Sequence, residues 1–138
     1  MIMSIFTKGA KVSAFILMKK ILFYTLRCAY VIYPYSLHLK IREILNYLYS
    51  CWVSNTFEFV GHDTLFEYKV HVKGGNFIKI GSECIFHRDT IIEAWNEYQG
   101  YNYAPNIEIG NGCSFGVNNH ITACKEVRIG NNLLTGAF

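Results

Sequence analysis

No Cys-x-x-Cys pair occurs in this 138-residue chain, and its five cysteines are odd in number. Cys28, Cys51, Cys84, Cys113 and Cys124 therefore do not read as a disulfide framework; they point to a reducing compartment. Lys and Arg form no basic run, and the net charge is only +3. That argues against a nucleic-acid-binding surface. Long apolar runs are broken as well. Over residues 12–33, Lys19, Lys20 and Arg27 interrupt what would otherwise approach the roughly 20 apolar residues of a membrane span. Met18-Lys19-Lys20 has the form of a signal-peptide n-region, but Arg27 cuts the apolar stretch short and no small-residue cleavage site follows. Met18 is also an alternative start, which would make residues 1–17 an upstream extension. Proline is scarce. The two present, Pro34 and Pro105, stand where the character of the sequence changes.

What is abundant is apolar surface, 51% of the residues, enough for the core of one domain with an appendage. Within it runs a column of aliphatic-Gly pairs: Val60-Gly61, Ile80-Gly81, Ile109-Gly110 and Ile129-Gly130. Stepping by six from each aliphatic residue gives Phe66, Phe86, Phe115 and Thr135, and six more gives Val72, Ile92 and Ile121. Each interval reads as three short strands and three corners, the period of a parallel β-helix whose coils are stable only when stacked. Thr64, Cys84 and Cys113 fall together as small residues at a tight corner, with Cys84 and Cys113 facing each other across adjacent coils. Lys79, Glu108 and Arg128 alternate in charge up one outer face, as cross-strand pairing favours. The Gly after each aliphatic residue is expected to let the backbone turn without side-chain strain.

The runs IKIGSECIFHRDTII, IEIGNGCSFGVNNHITA and VRIGNNLLTGAF resemble the hexapeptide-repeat acyltransferases. Their nearest relatives in flavour are the galactoside and maltose acetyltransferases and the O-acetyltransferases of bacterial surface polysaccharides. The resemblance covers residues 57 to 138. It implies a left-handed, mainly β parallel helix, acetyl-coenzyme A as acyl donor, a saccharide hydroxyl as acceptor, a homotrimer with sites between neighbouring solenoids, no metal, and a cytoplasmic location. In that family the general-base His follows the rung equivalent to Ile129-Gly130-Asn131-Asn132-Leu133-Leu134-Thr135-Gly136, which would place it beyond Phe138. The chain is accordingly expected to be a C-terminally truncated, weakly active or inactive acetyltransferase with its catalytic residue unknown.

Residues 1–56 lack hexads and are expected to be helical. Leu37, Ile41, Ile44, Leu45 and Leu48 follow helical spacing, with Lys40, Arg42, Glu43 and Asn46 on the other side. Pro34 and Ser36 precede them as break and N-cap, and residues 12–33 read as an earlier helix. This segment serves either as a cap on the first coil or as a membrane-surface element near lipid-linked glycans at the inner face of the membrane, in keeping with its basic residues, its tyrosines and Trp52.

Between the second and third coils, residues 95–106 are too polar and aromatic to form a rung. Trp95, Tyr98 and the adjacent amides suit stacking on and hydrogen-bonding a sugar, or packing on a neighbouring subunit. Acetyl transfer to an alcohol needs a base near the hydroxyl, most often His. His120 immediately precedes an inward residue and so points outward. By resemblance it lies on the rung that supplies acceptor contacts, together with Asn118 and Asn119; the competing role is a surface His at a trimer interface. Asn also favours corners for its tolerance of left-handed backbone. His87 is a weaker candidate. A rival is the carbonic anhydrase of the same solenoid type, whose metal is held by three His. Here His62, His71, His87 and His120 occupy different hexad positions. His71 and His120 share a column but are separated by Ile91, putting their Cα atoms about 9.6 Å apart within one subunit, so a shared metal with ligand bonds of about 2 Å would need a third chain to complete it. A non-catalytic β-helix relic or scaffold is the remaining alternative.

Overall fold

The computed structural model describes residues 2–137, with side chains from residue 15 onward; Met1, one of the two alternative starts, and Phe138 lie outside them. The chain forms two compact units, Met1–Arg42 and Glu43–Phe138.

Helix α1 spans Ile2–Ile32 and so begins about ten residues before the apolar pattern of residues 12–33 implies; the run contains no proline to break it. From residue 15 on its side chains are exposed. Helix α2, Tyr35–Ser54, starts directly after Pro34. The Pro34 carbonyl accepts from the N–H groups of Leu37 (2.9 Å) and His38 (3.2 Å). Pro34 is thus the cap, and Ser36, expected in that role, sits inside the first turn. Proline suits the position because it has no N–H that the helix would have to satisfy.

From Phe59 the chain winds into a parallel β-helix. Strands β1 (Phe59–Val60), β4 (Ile78–Ile80), β9 (Asn106–Ile109) and β12 (Glu126–Ile129) stack as one four-stranded sheet in the order β1-β4-β9-β12. Strands β2 (Leu65–Phe66), β5 (Ile85–Phe86) and β10 (Ser114–Phe115) form a second, in the order β2-β5-β10. Strands β3 (His71–Lys73), β6 (Ile91–Ala94) and β11 (His120–Ala123) form the third, in the order β3-β6-β11. Every pairing within these sheets is parallel, and the register is the one the hexads require: Val60 pairs with Ile80, Ile80 with Ile109 and Ile109 with Ile129. Phe66, Phe86 and Phe115 are buried in one column, their rings stacked 5.0 and 4.8 Å apart. Phe57 extends the stack at 5.1 Å. The charged column is also in register, Lys79 beside Glu108 beside Arg128. Arg128 meets Glu108 at 3.6 Å, while Lys79 reaches Glu58 instead, at 3.1 Å.

Corners show why this sequence can close its coils. Three residues after each inward position of the first two sheets the backbone takes positive φ: Asp63, Glu83, Gly112 and Asn132 at one corner, Lys69, Asp89 and Asn118 at the next, all between 56° and 73°. The aliphatic-Gly pairs work differently from the expectation. Neither Gly81 nor Gly110 has positive φ; a Cβ on Gly81 would lie 2.7 Å from the carbonyl carbon of Gly110 in the next coil. Gly is required there by the close approach of coils rather than by turning. Cys84 and Cys113 are free, buried corner residues. Their thiols donate to the Gly110 and Gly130 carbonyls at 3.1 and 3.2 Å, and burial pushes the Cys84 thiol above its usual range.

The first coil's edge is covered by the end of α2. Ser50 accepts from the Phe66 N–H at 2.8 Å and donates to the Thr64 carbonyl at 3.2 Å. Tyr49 Oη donates to Val70 at 2.9 Å, and Asn46 accepts from the Tyr68 N–H at 3.3 Å. Burial, with Tyr68 close by, raises the Tyr49 phenol above its ordinary pKa. These side chains occupy donors and acceptors that an open strand edge would otherwise leave free.

Candidate functional site

The densest set of reactive side chains lies on the outer face of the β3-β6-β11 sheet. Alternation sends Val72, Ile92 and Ile121 inward and leaves His71, Lys73, Glu93, His120 and Thr122 outward. Parallel register places His71 beside Ile91 and Ile91 beside His120, and one step along the strands Lys73 beside Glu93 beside Thr122. Glu93 therefore stands on the central strand between the two histidines.

Its carboxylate faces both. Oε1 is 3.7 Å from His71 Nε2 and Oε2 is 3.6 Å from His120 Nε2, distances of charge pairing rather than of direct hydrogen bonds. The Glu93 side chain is only 17% exposed, against 63% and 55% for the two imidazoles. Glu93 Oε2 also accepts from the Trp95 indole N–H at 3.0 Å. His120 Nε2 shares a 2.7 Å hydrogen bond with Thr122 Oγ1. A largely covered carboxylate fixed by an indole thus adjoins an exposed imidazole whose ring is oriented by a hydroxyl. A carboxylate so placed stabilises the charge that an imidazole gains when it accepts a proton.

Residues 95–105 rise from the end of β6. They form an antiparallel hairpin of β7 (Glu97–Tyr98) and β8 (Tyr101–Asn102), turned by Gln99 and Gly100, both at positive φ. Two consecutive positive-φ residues are the signature of a tight two-residue hairpin turn, and Gly100 is there because it accepts that geometry readily. Trp95 serves this insertion as a bracket. Its N–H is committed to Glu93, the Lys73 ammonium lies 3.0 Å from its ring centroid, and Tyr98 meets it edge-on at 5.9 Å. The aromatic surface left open is tyrosine: Tyr98, Tyr101 and Tyr103 are exposed.

The remaining sequence candidates fall elsewhere. Asn118 is the exposed corner residue with φ of 61°. Asn119 is 7% exposed, and its amide donates to the Gly116 and Gly136 carbonyls at 2.8 and 2.9 Å, tying two coils together. His87 pairs with Glu67 at 3.2 Å around the corner, and His62 with its neighbour Asp63 at 3.0 Å. The four histidines thus do not converge. Among the described residues no group of three or more His, Cys, Asp or Glu side chains is placed to hold a metal ion. Glu93 is the member that sequence reasoning missed. The available signal was its position two residues after Ile91, which puts it on the same face as both histidines.

Comparison with known proteins places no relative beside this geometry: no family model matches the chain, and no curated protein or solved structure does either.

Proposed function

We propose that this chain belongs with the hexapeptide-repeat acyltransferases, its helix left-handed, and that it acts in O-acetyl transfer from acetyl-coenzyme A to a saccharide hydroxyl. The outer face of the β3-β6-β11 sheet is then the acceptor site. The observation that carries this reading is the Glu93 carboxylate beside His120, at the foot of a tyrosine-bearing hairpin. The coil architecture and the Ile-Gly hexads support the family; the donor, the homotrimer and the cytoplasmic setting rest on the resemblance.

In this reading a sugar ring lies against Tyr98, and His120 accepts the proton of its hydroxyl as the oxygen bonds to the acetyl carbonyl carbon. The carbon–sulfur bond then breaks, and the proton passes from imidazole to the departing coenzyme A thiolate. Glu93 stabilises the imidazolium between those events. By the resemblance the family's general base would lie beyond Phe138, leaving this chain weakly active or inactive; Glu93 beside His120 is what favours a base within it.

The test is release of free thiol from acetyl-coenzyme A in the presence of a panel of mono- and oligosaccharides. His120→Ala is expected to lower turnover by about 10²–10⁴-fold, with Glu93→Gln lowering it less. Turnover insensitive to His120→Ala would move the base elsewhere. Saccharide binding without any turnover would favour the non-catalytic scaffold.

A further inference from the structure

Charge is divided unevenly along the chain. Residues 1–42 contain seven Lys and Arg and no Asp or Glu, a net +7, whereas residues 43–138 contain six against ten, a net −4. The overall +3 conceals this split.

The helices of the basic segment also leave apolar faces uncovered. On α1, Leu17, Met18, Ile21, Leu22, Cys28 and Ile32 recur at helical spacing on one side, while on the other Lys19, Lys20 and Arg27 stand among the apolar Ile16, Phe23, Leu26 and Tyr30. All of these are exposed. On α2, Asn46, Ser50 and Val53 face the first coil, while Leu37, Ile41, Ile44, Leu45, Leu48 and Trp52 form a stripe on another face that none of the described residues covers; Trp52 is 72% exposed. Among the described residues no helix is long and apolar enough to cross a membrane.

From these observations we infer that the N-terminal helices bind the surface of a lipid bilayer carrying anionic headgroups. Apolar faces enter the acyl boundary while Lys and Arg reach the headgroups with their flexible stems. The charge division selects this occupant. A second copy docked through the same segment would set +7 against +7, whereas a negative surface attracts each Lys and Arg near it. The inference is independent of acetyl transfer, since it rests on the charge and the apolar faces of the N-terminal helices alone.

The experiment is co-sedimentation of the whole chain with vesicles of phosphatidylcholine alone or with roughly one-third phosphatidylglycerol. Binding to the anionic vesicles is expected, weakened by salt, with little on the neutral ones. The exposed triple variant K19Q/K20Q/R27Q is expected to lower partitioning by about a hundredfold. The pair Leu45→Ser and Leu48→Ser is expected to reduce the part that survives high salt. Equal binding to both vesicle types would overturn the inference, as would binding unchanged in the triple variant. So would a lipid-free oligomer that ignores vesicles, which would assign the stripe to a second copy.

Discussion

Two apolar columns of this protein have opposite fates. Phe66, Phe86 and Phe115 recur once per coil and are buried; Leu37, Ile41, Ile44, Leu45 and Leu48 recur by helical turns and are exposed. Both sets are periodic, and both periods name correctly the residues that share a face. The difference is that a coil stacks on its own repeat, so each ring in the solenoid finds a partner supplied by the same chain. A helix stripe has no such neighbour built into its own repeat. Periodicity is therefore a statement about faces, and burial follows from it only where the repeat brings its own neighbour.

The largest expected effect lies in the phenylalanine stack. Phe86 is fully buried between Phe66 and Phe115, at 5.0 and 4.8 Å. Phe86→Ala is expected to cost about 3–5 kcal/mol, because neighbours held at the coil spacing collapse poorly into the void. Denaturant unfolding measures it, and a loss under about 1 kcal/mol would show a loose column and weaken the contrast with the helices.

Next comes Asn119. Its side chain bridges the Gly116 and Gly136 carbonyls in successive coils. Asn119→Ala would leave both without that donor, at a cost of about 1–3 kcal/mol. Should Asn119→Ala leave stability unchanged yet abolish saccharide binding, its amide would be a ligand group instead of a tie between coils.

These cases show how much could be read in the residues themselves. The three sheets and their register follow from Val60, Ile80, Ile109 and Ile129 and their sixfold steps, since stacking makes each column test the others. The buried corner thiols followed too, because only small side chains recur at that position. The contacts of Glu93 did not: the column of His71, Ile91 and His120 and strand alternation put Glu93 on their face, but its reach to both imidazoles, at 3.7 and 3.6 Å, depends on side-chain rotamers that no period encodes. Nor did the reason for Gly81, which is the backbone of the next coil rather than its own φ. Local rules describe a residue's conformation, whereas both of these are facts about a neighbouring coil.

A smaller effect is expected at the corners. Glu83 holds φ of 59° where the following coil has Gly112 at 64°. A left-handed non-Gly residue costs about 1–2 kcal/mol, part of which Gly returns through its freer unfolded chain. Glu83→Gly should therefore stabilise the solenoid by up to about 1 kcal/mol. Destabilisation would mean that the Glu83 side chain contributes more to the corner than its exposed position indicates.

The smallest expected effect is the one that bears most directly on the two columns. Leu45 belongs to a strongly periodic apolar stripe, yet it is 58% exposed. Truncating it removes little buried surface, so Leu45→Ser should change the unfolding free energy of the isolated chain by no more than about 0.5 kcal/mol. The same substitution should lower attachment to anionic vesicles, because there the side chain leaves water. A change confined to the lipid-bound state would show that the stripe is covered by a partner outside the fold. A loss of about 2 kcal/mol or more without lipid, the order of cost seen for buried leucines, would show that the chain covers the stripe itself, and the two columns would no longer differ in kind.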